Sequence, residues 1–202
     1  MDLTIDIGTT TIYLTGDTVY SIDWKSADTE QKIRDAYYGH GSKRKLDETT
    51  RKAAKKAAED FKKNPLSLSG DNLEFALSTT PEVTINYNDD DEPTYVVEGF
   101  YRGSDPEEAA KAVLLKRAGV TGRLTYDGTG KDAKITGGTI HGEQGMDVVI
   151  DVTGDKPTYS YTVDGKTYVG DSLDGVLDAY LNATDSDYSD STSESYKAEK
   201  RR

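Results

Sequence analysis

Residues 93–117 and 157–181 spell nearly the same order of signals, and this recurrence limits what the chain can fold into more than any other feature. Pro157-Thr158-Tyr159 answers Pro93-Thr94-Tyr95, and Val163-Asp164-Gly165 answers Val97-Glu98-Gly99. Two residues are inserted between these two matches, and with one more after them Val176, Leu177, Ala179, Tyr180 and Leu181 fall on Ala109, Ala110, Ala112, Val113 and Leu114. Self-similarity of this kind marks a supersecondary unit used more than once. The unit reads as strand, strand, strand, helix.

In the earlier of these copies, Leu73, Phe75 and Leu77 alternate with polar or small neighbours and read as the first strand, followed by Val83 and Ile85 and then by a strand from Pro93. A weaker third copy opens the chain. Leu3, Ile5 and Ile7 alternate there, Ile12 and Leu14 answer them, and Ser26 or Asp28 caps a helix carrying Ile33, Ala36 and Tyr37.

One helix boundary is signalled at both ends. Ser104 or Asp105 can cap it, Pro106 suits its first position, and Glu107 and Glu108 sit at its positive end. Lys116 and Arg117 sit at its negative end, and Gly119 stops it. The fold expected is α+β, with small antiparallel sheet units each followed by a short helix and one long helix inserted. By residue, 1–38 is the first β-β-β-α unit, 39–71 an inserted loop and basic amphipathic helix, and 72–119 the second unit. Residues 120–145 form a Gly-rich hairpin region, 146–182 the third unit, and 183–202 a disordered acidic tail too polar to offset its ordering entropy.

Composition narrows the function classes. Only 34% of residues are hydrophobic even with 14 Tyr counted, so the core is lean and a partner can supply further burial. A net charge of −12 argues against general attraction to nucleic acid or anionic membrane. The absence of Cys excludes disulfides, thiolate catalysis and Cys-based zinc sites. No signal-peptide pattern and no run approaching the ~18 apolar residues of a membrane span are present, so the expectation is a soluble chain.

The stretch Asp6-Ile7-Gly8-Thr9-Thr10 between two alternating segments resembles the first phosphate loop of the actin and sugar-kinase superfamily. That resemblance, over about eight residues, implies that Asp6 would address a metal and that Gly8 would let the backbone approach phosphates. Against this stands the aligned stretch of the second copy, with Ala76 at the Asp position and Ser78-Thr79-Thr80 in place of Gly8-Thr9-Thr10. Strand geometry accounts for both copies, and phosphate chemistry for one. The turn is therefore read as structural, with no cofactor expected.

Charge is distributed unevenly. Residues 42–63 carry nine Lys or Arg against four Asp or Glu, leaving a strongly acidic remainder. On a helical wheel Leu46, Ala53, Ala54, Ala57, Ala58 and Phe61 share one face, while Arg51, Lys52, Lys55, Lys56, Lys62 and Lys63 occupy the other. We take these six cations as the candidate partner-binding residues. A solvated face laced by Glu48–Lys52 and Glu59–Lys63 pairs is the alternative.

The remaining candidates read as structural. Asp89-Asp90-Asp91-Glu92 and the acidic run at 185–190 lack the spacing of a calcium loop, so no metal site is expected. His40 and His141, the only histidines, sit beside glycines and read as exposed loop residues, and no nucleophile motif accompanies them. Tyr87, Tyr95, Tyr159, Tyr161 and Tyr168 suit half-wet sheet faces or interfaces.

The sequence thus points to no catalytic residues. It points to a non-enzymatic subunit that works by protein contact, through self-association or with other subunits of a large assembly. The setting expected is the head, neck or tail of a phage or other viral particle, in the virion or the host cytoplasm. An acidic monomeric binding or inhibitory protein is the alternative, and a nucleotide-dependent enzyme using the Asp6–Thr10 loop the third reading.

Overall fold

The computed structural model of the chain describes residues 2–7, 10–15, 18–22, 27–43, 47–142 and 145–184. Among these, eleven strands form three antiparallel sheets accompanied by five α-helices, the α+β mixture of small sheets expected from the sequence. The chain divides into two compact units, residues 1–114 and 115–202.

The first unit opens with β1 (Asp2–Ile7), β2 (Thr10–Thr15) and β3 (Thr18–Ile22), which pair in chain order. In the register of β1 and β2, Leu3 lies opposite Leu14 and Ile5 opposite Ile12. Ile7 pairs with Thr10; the turn read from the sequence at Gly8 and Thr9 lies outside the described residues.

Three helices follow: α1 (Ala27–Tyr38), α2 (Glu48–Lys63) and α3 (Gly70–Ser78). Asp47 caps α2, its Oδ1 accepting the Thr50 N–H at 2.7 Å. Asn64 ends that helix by donating its backbone N–H to Asp60, and its side chain accepts from Leu66 to start a 3-10 turn at Pro65–Ser67. Ile33 of α1, Ala54 and Ala57 of α2 and Phe75 of α3 form one buried cluster. The alanines admit close helix approach, while Phe75 and Ile33 supply the apolar area removed from water.

Helix α3 corrects the sequence reading, which placed a strand at Leu73, Phe75 and Leu77. Leu73, Phe75, Ala76 and Leu77 are buried while Gly70, Asp71 and Asn72 are exposed, and four apolar residues in so short a stretch carry no periodic pattern that separates a helix from a strand. The equivalence of Ser78-Thr79-Thr80 with the turn at Gly8 falls with it. These hydroxyls cap the end of α3: Ser78 Oγ donates to the Phe75 carbonyl at 2.7 Å, and Thr80 Oγ1 to that of Ala76 at 2.7 Å. They satisfy carbonyls that the last helical turn leaves open.

Strands β4 (Val83–Tyr87), β5 (Pro93–Val97) and β6 (Tyr101–Gly103) pair in chain order, with Ile85 opposite Tyr95 and Val83 opposite Val97. Helix α4 (Pro106–Arg117) follows and keeps the boundaries its signals predict. Asp105 Oδ1 accepts from the Glu107 N–H at 2.9 Å. At the other end Gly119, at φ +82°, bonds the Lys116 carbonyl, and Val120 bonds that of Leu115, the paired bonds of a Schellman stop.

The second unit is a five-stranded meander of β7 (Thr125–Asp127), β8 (Lys134–His141), β9 (Asp147–Asp151), β10 (Thr158–Val163) and β11 (Lys166–Gly170). Helix α5, residues 173–184, starts where Ser172 Oγ accepts from the Gly175 N–H at 3.1 Å. Asp164 and Gly165, at φ +50° and +76°, form the left-handed pair that turns β10 into β11. Tyr161 lies opposite Tyr168, and Tyr180 of α5 meets both rings edge-on at 5.3 and 5.4 Å. Those tyrosines thus hold helix to sheet. Helix α5 runs two residues past the predicted start of the acidic tail; residues 185–202 lie outside the described residues.

Candidate functional site

The six predicted partner-binding cations all lie on α2. Lys52, Lys55, Lys56, Lys62 and Lys63 are exposed, and Arg51 is half-buried at the edge of the face. Their spacing of three, four, six and seven residues keeps the lysines on one stripe, with Glu59 in its middle. The opposite stripe, Ala54, Ala57 and Phe61, is buried. Leu46, which the sequence placed on the apolar face, lies outside the described residues, and Ala53 is exposed.

Part of this charge is matched within the helix. Lys52 lies 3.7 Å from Glu48, the pair expected from the sequence, with both side chains about three-quarters exposed at 76% and 74%. Lys56 bridges Asp60; that bond raises the lysine's pKa and lowers the carboxyl's. Such exposed pairs hold little energy in water.

A second constellation emerges only in three dimensions. The C-terminal end of α1, helix α3 and the β4–β5 hairpin enclose a cleft of about 290 Å³. Its organiser is Asp35. Oδ1 accepts from Gln31 Nε2 at 2.6 Å and from the Gly41 N–H at 2.9 Å, and Oδ2 lies 3.2 Å from His40 Nδ1. Facing a carboxylate oxygen, Nδ1 is the ring nitrogen placed to donate. Gly39 and Gly41, at φ +89° and +72°, turn the chain so that His40 falls back over the helix end. The imidazole then stacks on Tyr87 of β4.

Glu74 of α3 and Tyr95 of β5 complete the walls with Asp91 from the turn between the strands. Burial, then the neighbouring Asp71, raises the Glu74 carboxyl above the ordinary glutamate value. Burial also raises Tyr87 and Tyr95, with Asp35 and Glu74 adding to the first and Glu74 to the second. Both phenols therefore stay protonated at neutral pH and present hydroxyls, not phenolates.

His40 is thus a turn residue tied to Asp35, more engaged than its flanking glycines suggest. His141 is exposed as read from the sequence, but it ends strand β8 instead of lying in a loop, opposite Asp147, with Nδ1 2.8 Å from the Asp147 carboxylate. The acidic turn at 89–92 is organised by Asn88, whose Oδ1 accepts from the Asp90 and Glu92 N–H groups at 3.0 and 2.8 Å. Among the described residues no group of three or more His, Asp or Glu is placed to hold a metal ion, and no helix is long and apolar enough to cross a membrane.

No protein-family model matches the chain, and comparison with curated proteins and with solved structures gives no significant match.

Proposed function

We propose that this chain is a non-enzymatic assembly subunit that works by protein contact, and that the lysine face of α2 is its docking surface for the acidic body of a second copy. The observation that carries this reading is the division of α2 into a buried Ala54, Ala57, Phe61 stripe and an exposed stripe of five lysines, on a chain of net charge −12. A helix already seated by its apolar side presents its charges without further ordering, so association costs little conformational entropy. Opposite charge elsewhere on the chain steers a second copy toward it. The three stretches ordered strand, strand, strand, helix are read as copies of one unit, and the positive φ of Gly99 and Gly165 at matching turns supports this for the last two. The setting proposed is a phage or viral particle.

Sedimentation of the full chain at low and high salt tests the reading. Lys52, Lys55, Lys62 and Lys63 are changed together to Gln, with Lys56 left in its bridge to Asp60. The variant should self-associate about tenfold more weakly at low salt, and the difference should shrink as salt screens the contacts. A wild type that stays monomeric at high concentration favours the acidic monomeric binder, and equal association of both proteins removes the docking role from α2.

A further inference from the structure

We propose that the cleft between α1, α3 and the β4–β5 hairpin binds an organic cation, an ammonium or guanidinium head of the size carried by a lysine or arginine side chain. The reading is independent of the lysine face and rests on three observations.

The first is charge. Asp35, Glu74 and Asp91 line the cleft, and no lysine or arginine lines it; Lys32 lines a neighbouring recess that shares Asp35, Ser78, Ile85 and Tyr87 with it. The second is the aromatic wall. His40 and Tyr87 stack in parallel, and Tyr95 stands on the strand paired with that of Tyr87. Aromatic faces attract cations, and more strongly where water is displaced. The third is unused hydrogen-bonding capacity. Tyr95 is only 2% exposed, yet its hydroxyl makes no hydrogen bond with any described residue. That oxygen is not among the fully buried unpaired polar atoms, so it bonds water in the cleft and can exchange that water for a ligand group. Glu74, half-buried, likewise has no hydrogen bond or ion pair with a described residue. Asp35 differs. Its oxygens already accept from Gln31, Gly41 and His40, so it places the imidazole and adds negative charge without being a free acceptor.

The same features exclude other ligand classes. An anion would meet three carboxylates. A metal ion would lack a set of converging donors. A volume of about 290 Å³ lies at the small end of ligand sites, which suits a side-chain head and its last methylenes.

The test is an NMR titration of the full chain, following the His40, Tyr87 and Tyr95 ring signals. The probes are capped lysine, capped arginine, n-butylammonium, and capped norleucine as the uncharged shape control. Saturable shifts confined to these rings are expected with the cations and none with norleucine. Tighter binding of capped lysine or arginine than of n-butylammonium assigns a peptide source; the reverse assigns a free amine. Glu74→Gln should weaken binding at least tenfold. Asp91→Asn should weaken it less, and Asn tolerates the left-handed backbone at that turn, where φ is +62°. Norleucine shifting the same rings equally, no saturable shift with any cation, or undiminished binding by a folded Glu74→Gln protein would each overturn the proposal.

Discussion

The imidazole of His40 lies on the phenol of Tyr87 with ring centroids 3.8 Å apart and planes 11° apart. One contact thereby pins the loop after α1 to the first strand of a sheet that starts more than forty positions later. Such ring pairs contribute about 0.5–1.5 kcal/mol beyond buried area. His40→Ala should therefore lower the unfolding free energy in urea by about 1 kcal/mol. Tyr87→Phe, which keeps the ring, should leave most of it. Equal losses in the two variants would show that the hydroxyl, not the stack, matters.

Glu74 sets a pH dependence of stability. Its folded-state pKa is raised, so the folded chain holds that proton more tightly than the unfolded chain does. The cost of ionising Glu74 is fully present above its raised pKa and disappears as pH falls below the ordinary value of 4.5. Glu74→Gln should accordingly be more stable than wild type at neutral pH, with the gap closing in acid. Urea midpoints at several pH values check this; a gap that does not change with pH contradicts it.

Gly137 marks where two strands leave no room. A Cβ there would overlap the Ile150 carbonyl oxygen, an atom fixed in the β8–β9 ladder. Gly137→Ala should cost about 1–3 kcal/mol, because backbone must shift to admit the methyl. Gly154→Ala, whose nearest neighbour is 3.7 Å away, should fall within about 0.5 kcal/mol of wild type. Thermal melts of the two variants make the comparison.

Ala57 is 3% exposed and faces the cluster that holds Phe75. Ala57→Leu should destabilise by about 1–3 kcal/mol through overpacking. Ala53→Leu, on the exposed side of the same helix, should be nearly neutral. If both substitutions proved neutral by chemical denaturation, the close seating of α2 would be wrong.

What was legible in the sequence follows from how local each signal is. Helix α4 could be bounded within a residue because Asp105, Pro106 and Gly119 act on their own backbone. The amphipathic division of α2 was legible for the same reason. Helix α3 was not, since Leu73, Phe75 and Leu77 alternate in a stretch so short that they fit a strand as well as a helix. The cleft was out of reach because Asp35, Glu74, Tyr87 and Tyr95 come from four elements that only packing brings together. One fragment of it was local: Asp35 and His40 straddle a helix end marked by Gly39 and Gly41. A carboxylate one turn before a Gly-His-Gly run was a usable sign of a tethered histidine.

The pairing order of the sheets has a kinetic consequence. In each of the three, every strand pairs only with its neighbours in the chain. Among the described residues no strand has to wait for a partner from a distant part of the sequence, so the entropy lost in closing each hairpin is small and is recovered at once by the contacts it makes. Such a chain belongs among fast folders for its strand content. During synthesis each sheet can complete soon after its own stretch has emerged, which shortens the time that unpaired strand edges spend exposed to other chains.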